Sequence, residues 1–226
     1  MGGLLFLSPH LDDAVLSCGE LIASRPGTTV ATLFAGQPCA YGEPTSWDRD
    51  AGFSAGDDVI AARREEDRAA LEILDATPLW LDFVDDQYAV PAGMNMIADA
   101  LARAIEALRP DAVVFPAGLF HADHRRAHDA ALIALSRFPA IEWTVYEDAL
   151  YRRMDGLLAE RLRLLEAIGL APFRIDFAIA ADASDRKRRA VACYRSQLKA
   201  LGARRGHADA FAPEGYWRIS ARGERP

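Results

Sequence analysis

Apolar positions along this chain recur at two spacings, one of strands and one of helices, and the two alternate. Gly3-Leu4-Leu5-Phe6-Leu7 is a short continuous apolar run that reads as a buried strand. Ala14 to Ile22 follows with helical spacing at Val15, Leu16, Gly19 and Ile22. Thr28 to Ala35 predicts a second strand, Val59 to Leu74 a charged amphipathic helix, and Leu79-Trp80-Leu81 a short third strand. Met94, Ile97, Leu101, Ile105 and Leu108 mark one helix face, and Ala112 to Phe115 a fourth strand. Ala127, Ala131, Leu132 and Leu135 belong to a helix after His124.

Beyond Pro139 the alternation continues. Trp143 to Glu147 reads as a strand, and Leu157 to Ile168 as a helix closed by Gly169. Ile175, Phe177 and Ile179 alternate with Arg174, Asp176 and Ala178, which predicts a half-buried strand. Ser184 is the expected N-cap of a helix running to about Leu201, and Tyr216-Trp217-Arg218-Ile219 is expected to dock from a turn-rich tail. Strands alternating with helices predict a single α/β domain over residues 1–226: a Rossmann-like, mostly parallel sheet with helices on both faces. Gly36 to Gly56 and Phe83 to Gly93 are long loops, and connections of that length in compact domains are often functional.

Composition narrows the partners. The 226 residues are 51% hydrophobic and 26% charged, ordinary for a globular protein, and the net charge of -7 argues against nucleic acid or an anionic membrane. The basic run Arg186 to Arg189 reads as a solvated helix face. No apolar run approaches the roughly 20 residues of a membrane span. Met1 to Leu7 lacks the n-region and h-region of a signal peptide and is read as strand. The three cysteines, Cys18, Cys39 and Cys193, form no C-x-x-C pair, so the expectation is a reducing, cytoplasmic setting without thiolate zinc. Cys18 and Cys193 fall in helical patterns as small core residues, and Cys39 in a loop near the chemistry described next.

Ser8-Pro9-His10-Leu11-Asp12-Asp13 sits where the first strand stops and the first helix begins, at the strand end where α/β folds place ligands. One imidazole and two adjacent carboxylates there point to a divalent metal with a general base beside it. A second cluster, His121-Ala122-Asp123-His124, follows the fourth strand. Hydrolytic zinc takes three ligands from His, Asp or Glu and keeps a fourth position for water. His10, one of Asp12 and Asp13, and one histidine of the second cluster supply such a set. Consecutive Asp side chains at a helix start diverge, so one can bind metal while the other takes a proton from water of pKa about 7. The two histidines divide likewise: one closes the set, and the other, held by Asp123, would stay protonated and face an oxyanion.

Each residue has a blander reading. Asp12 or Asp13 could cap the helix, and His121 and His124 could be loop residues. The conjunction decides the matter, because three of only five histidines sit in two carboxylate-bearing clusters after predicted strands. His128 stands at i+4 from His124, but the segment lacks the Glu that follows the first His in metalloprotease helices. His207 is expected to be solvent exposed.

Pro9-His10-Leu11-Asp12-Asp13 and His121-Ala122-Asp123-His124 are similar to the Pro-His-x-Asp-Asp and His-x-Asp-His motifs of the LmbE-like, or PIG-L, zinc-dependent deacetylases. That family acts mainly on N-acetylglucosamine-type amides. The resemblance implies zinc on His10, Asp13 and His124, with Asp12 as general base. It implies His121 as oxyanion stabiliser and acid, with Asp123 supporting it. Arg63 and Glu66 match an Arg-x-x-Glu of the family, against the reading of a plain exposed i, i+3 ion pair. Asp85, with Asp86 as the alternative, matches a loop Asp that helps hold the sugar. Tyr41, Trp47, Phe53 and Tyr88 would form a sugar-binding rim or else anchor their loops.

The resemblance extends to Tyr194-Arg195-Ser196-Gln197 and departs at Ala14, where many members have Glu, a difference that marks a subgroup in substrate rather than in chemistry. His/Asp ligands also suit Fe2+ or another divalent ion. The function so implied is removal of an acyl group, acetyl foremost, from a small-molecule acylated amino-sugar. The rivals are an amidase of a thiol conjugate or antibiotic-type amide, and a non-catalytic binding protein; retention of Asp12 argues against the last.

Overall fold

The computed structural model describes residues 3–88, 92–204 and 207–221. Its elements run β1 (Leu4–Ser8), α1 (Asp13–Ala23), β2 (Thr28–Thr32), α2 (Ser46–Ala51), α3 (Val59–Ile73), β3 (Ala76–Trp80), α4 (Met94–Leu108), β4 (Ala112–Pro116), α5 (Ala122–Arg137), β5 (Glu142–Tyr146), α6 (Leu157–Ala167), β6 (Leu170–Ile175), α7 (Ala183–Val191), α8 (Arg195–Arg204) and β7 (Tyr216–Ala221). One seven-stranded sheet collects all the strands in the order β3-β2-β1-β4-β5-β7-β6. The first five in that order are parallel, and β7 lies antiparallel to both β5 and β6.

Successive strand side chains point to opposite faces, so each apolar strand serves two cores. Phe6, Val30, Val114 and Tyr146 pack with α1, α3 and α7 on one face. Leu5, Leu7, Ala31, Val113, Phe115 and Val145 pack with α4, α5 and α6 on the other. The chain leaves β1 toward β2 on one side and returns to β4 on the other. The reversal opens a crevice between the carboxyl ends of β1 and β4, the switch point where such sheets bind ligands.

Several elements depart from the pattern in the sequence. The loop 36–56 contains α2, six residues long and too short to show a period. Its start is nevertheless a capping box, in which Thr45 Oγ1 accepts the Asp48 N–H while Asp48 accepts the Thr45 N–H. Residues 89–91 of the second long loop lie outside the described residues. β3 begins at Ala76 rather than Leu79 and runs through Pro78, which an edge strand tolerates because its outer side needs no ladder donor. β6 ends where the predicted alternation begins, and Phe177 instead packs edge-on against Tyr216, with ring centroids 5.0 Å apart.

The predicted helix from Ser184 to Leu201 is two helices. It breaks before Arg195 because Tyr194 is buried with its hydroxyl donating to Asp67 (2.8 Å), and Glu66 caps the restart by accepting from the N–H and Oγ of Ser196. Ser184 does not cap; its hydroxyl donates to Glu20 at 2.6 Å.

The tail does more than dock, since β7 is an interior strand. It is anchored by Glu214, whose carboxylate accepts from Lys187 Nζ at 2.7 Å, the Tyr216 hydroxyl at 2.6 Å and the N–H groups of Glu20 and Leu21. Lys187 is 1% exposed, so its charge depends on that partner. Glu214→Ala is therefore expected to cost about 3–5 kcal/mol, the range for a buried charge left unpaired. The double change Lys187→Met with Glu214→Leu should recover part of that loss; equal denaturation midpoints for Glu214→Ala and the native chain would refute this account.

Candidate active site

The site begins with how β1 ends. Ser8 Oγ donates to the His10 carbonyl (2.6 Å) and accepts the Ala14 N–H (2.9 Å), folding the Pro9–Asp13 turn tightly over the strand end. Asp12 takes the N-cap position of α1 with φ 155° and ψ -32°, a strained conformation for a non-glycine residue. Its side chain makes no capping hydrogen bond and lines the cavity instead. The blander reading of Asp12 as a helix cap therefore fails.

Asp13 Oδ2 gathers the centre. It accepts the His10 N–H at 2.9 Å, stands 3.0 Å from His10 Nδ1, and lies 3.1 Å from His124 Nε2. His124 enters from the first turn of α5, and its Nδ1 lies 2.6 Å from Asp148 Oδ1. A carboxylate on Nδ1 leaves the Nε2 lone pair for the centre, the usual outer arrangement of a metal-binding histidine. Asp148 also accepts the Leu119 N–H at 3.1 Å, tying the loop after β4 to the end of β5.

His121 is the N-cap of α5 and is fixed differently. Its Nδ1 accepts the backbone N–H of Asp123 at 3.2 Å, so a neutral ring carries its proton on Nε2. The Asp123 carboxylate does not serve His121 as expected; it lies 3.3 Å from His10 Nε2, accepts the Asp86 N–H and meets Arg126 at 3.4 Å. Asp85 joins this side, 3.6 Å from His10 Nε2, and is itself braced by the backbone and side chain of Gln87.

The electrostatics follow from that packing. Burial and the neighbouring Asp13 raise Asp12 to about 8, partly offset by Arg63, His10 and His124. Burial opposes the charge of Asp13, yet His124 and His10 hold it well below the usual carboxylate range. Burial also opposes protonation of His124, but Asp13 and Asp148 raise it to about 9. His10 behaves alike, raised by Asp85, Asp123 and Asp13 against its burial. His121 is lowered, first by burial and then by the charges of His10 and His124. In the metal-free protein that balance favours a neutral His121 with an Nε2–H over the expected imidazolium.

His10, Asp13 and His124 offer ligand atoms within 4.8 Å of one another. Their His/Asp/His donor set, the Asp148 brace and the crowding of carboxylates around two protonated imidazoles all fit a divalent cation. His10, His121 and Asp123, and the trio Asp85, Asp86 and Asp123, also bring possible ligand atoms within 4.8 Å of one another.

His10, Asp12, Asp13, Asp85, Asp86, His121 and His124 open on a cavity of about 1030 Å³, with Asp123 and Asp148 buried behind them. Arg63 and Trp47 also line it. Arg63 is 4% exposed and its Nε has no partner among the described residues, whereas Glu66 is committed to Ser196, so the two form no functional pair. Tyr88 donates to Asp48 and carries Tyr41 against its ring, bracing the loop; Phe53 is not among the cavity-lining residues. His128 is turned away, its Nδ1 on the Pro116 carbonyl at 2.8 Å, and burial holds it neutral with a pKa of about 3. Cys39 is exposed, and His207 is half-buried against Phe211 rather than open to solvent. Asp148 escaped the sequence reading, although its signal was present: a carboxylate just past the fifth strand, at the same sheet edge as His10 and His124.

Residues 5–135, more than half of the chain, match PIG-L, described as GlcNAc-PI de-N-acetylase. The 2'-N-acetylparomamine deacetylase of Streptomyces fradiae is 33% identical over 193 residues, covering 76% of this chain. This chain spans 66% of that relative's length. Among solved structures, a triple mutant of a deacetylase from the teicoplanin biosynthetic pathway superposes with a TM-score of 0.80 at 27% identity, over 99% of this chain and 100% of that one. The pseudoaglycone deacetylase Dbv21 superposes with a TM-score of 0.79 at 26% identity, over 99% of both chains. With the fold, the two His/Asp clusters and these relatives in agreement, the chain belongs to the PIG-L family.

Proposed function

We propose that this chain is a metal-dependent N-deacylase that hydrolyses the amide of an N-acylated amino-sugar or a related glycoside. The observation that carries the reading is the convergence of His10, Asp13 and His124 on the cavity wall beside Asp12 and His121. His10, Asp13 and His124 would hold the ion, zinc or another divalent metal such as Fe2+. Once bound, the ion supplies Lewis-acid polarisation of the amide carbonyl and acidification of water.

The rest is done by the chain's own residues. Asp12, raised to about 8 in the metal-free protein, would take the proton of the attacking water in its ionised form. The Nε2–H of His121 donates to the carbonyl oxygen as negative charge gathers there. Asp12 then returns its proton to the leaving nitrogen as the C–N bond breaks, giving a carboxylate and an amine. Asp123 supports both histidines, through its backbone N–H to His121 and its carboxylate to His10. Arg63 and Asp85 would hold the hydroxyls of the sugar; their place on the cavity wall beside the His/Asp cluster supports that role. Among the described residues no helix is long and apolar enough to cross a membrane, and a cytoplasmic setting remains the reading from the cysteines.

Asp12→Asn should keep its metal and lose about 10²–10⁴ of its turnover of N-acetylglucosaminides, the usual range for a general base. Undiminished amine release by that variant would remove Asp12 from the mechanism. His124→Ala should emerge without stoichiometric metal in elemental analysis, and Asp148→Ala should bind metal about 10–100-fold more weakly. Full occupancy and native affinity in both variants would contradict the ligand set.

The pH dependence has a defined sign. In the metal-free protein His124 holds its proton up to about 9 against the ordinary 6.5, so protons compete with metal across neutral pH. Calorimetry in buffers of different ionisation heat should show protons released on metal uptake at pH 7, fewer as the pH approaches 9. The same shift stabilises the metal-free fold fully below about 6.5, and this contribution is lost as the pH rises through about 9. Metal uptake without proton release at pH 7 would invalidate the assignment.

A further inference from the structure

The cavity is far larger than an acetylated sugar requires. At about 1030 Å³ it lies near the upper end, about 1,000 Å³, of sites that enclose a drug-sized ligand. Its walls are also unlike one another, and the strand order explains how. The His10–Asp13 turn follows β1, at the middle of the run β3-β2-β1-β4-β5. Asp85 and Asp86 come from the loop after β3, and Arg63 from α3, which leads into β3, so one flank is charged. Phe120 comes from the loop after β4, and Leu150, Tyr151 and Met154 from the loop after β5, so the opposite flank is largely apolar. The two charges lining that far side, Arg153 and Asp209, are paired with each other at 2.9 Å.

Phe120 stands out on the apolar flank. It is 55% exposed, yet its backbone has φ 59°, a left-handed conformation that a bulky residue rarely adopts. Its ring lies against Tyr151 with centroids 5.4 Å apart, and Tyr151 in turn sits edge-on to His124 at 5.2 Å. An aromatic wall is thus held open to the cavity directly beside the catalytic histidines, at a cost in backbone strain.

A secondary amide is planar and trans, so its two substituents leave in opposite directions. With the amino-sugar held by Arg63 and Asp85 on the charged flank, the group on the carbonyl carbon must leave toward Phe120 and Tyr151. We infer that Phe120, Leu150, Tyr151 and Met154 form an acyl subsite, and that the preferred acyl group is a chain of several carbons rather than acetyl. The inference rests on the deacylase reading above and concerns only which acyl group is removed. Water attacks the same carbonyl carbon, the same C–N bond breaks, and the products are a medium-chain carboxylate and the free amine.

The test compares N-acetyl-, N-butanoyl- and N-hexanoylglucosamine with the metal-loaded enzyme. Burying each added methylene is worth about a factor of four, so kcat/KM should rise at least about tenfold from acetyl to hexanoyl. Met154→Glu, which places a charge in the subsite, should lower the hexanoyl-to-acetyl ratio by about tenfold or more; its melting temperature verifies that it folds. Equal or better cleavage of the acetyl compound, or a ratio unchanged by Met154→Glu, overturns the inference while leaving the deacylase reading intact.

Should no compound be cleaved, the deacylase reading itself fails, and binding to the same protein then decides on the subsite. Calorimetric affinity greater for N-hexanoyl- than for N-acetylglucosamine, with the difference abolished by Met154→Glu, would uphold it. Indistinguishable affinities would end it.

Discussion

One carboxylate oxygen organises this molecule's chemistry. Asp13 Oδ2 lies 3.0 Å from a nitrogen of His10 and 3.1 Å from a nitrogen of His124, joining the turn after β1 to the helix after β4. That meeting is available only because β1 and β4 are neighbours in the sheet, although α1, β2, α2, α3, β3 and α4 separate them in the chain. A buried carboxylate is tolerable only with positive charge beside it. In the metal-free protein protons on the two imidazoles meet that need, and a divalent cation can take their place. The constraint that keeps the two loops together is therefore the same one that suits the crevice to a divalent cation.

Around that centre, chemically identical side chains acquire different properties from what holds them. His121 and His124 lie in one turn of α5, yet a backbone N–H occupies Nδ1 of the first and a carboxylate occupies Nδ1 of the second. The first has a lowered pKa, and the second a raised one with its Nε2 facing Asp13, the position from which the proposed ligand would act. Asp12 and Asp13 diverge for a similar reason. Asp13 is surrounded by imidazoles, whereas Asp12, strained at the helix start, has Asp13 as its dominant charged neighbour. The oppositely directed shifts suit the separate tasks of base and ligand proposed for the two.

Much of this was legible before any coordinates. Leu4 to Leu7 and Ala112 to Phe115 are apolar without interruption because both faces of those strands are covered, and such runs are easily read. Short or edge elements were harder. α2 has too few residues for a period, Pro78 disguises the start of β3, and the break between α7 and α8 depends on Tyr194 reaching Asp67 on another helix. The place of β7 inside the sheet was equally hidden, since nothing local to Tyr216–Ala221 specifies which strands it will pair with.

The division for the site is similar. By itself the order of residues determined the alternating strand and helix periods, and it placed His10, Asp12, Asp13, His121, Asp123 and His124 at strand ends, because those properties depend on near neighbours in the chain. Only the folded structure decided that Asp148 braces His124, that Asp123 turns its carboxylate to His10, that Glu66 caps a helix instead of facing Arg63, and that the cavity has one charged and one apolar wall. Those outcomes depend on which strands lie side by side and how far a side chain can reach across the gap, and that is a matter of packing rather than of period.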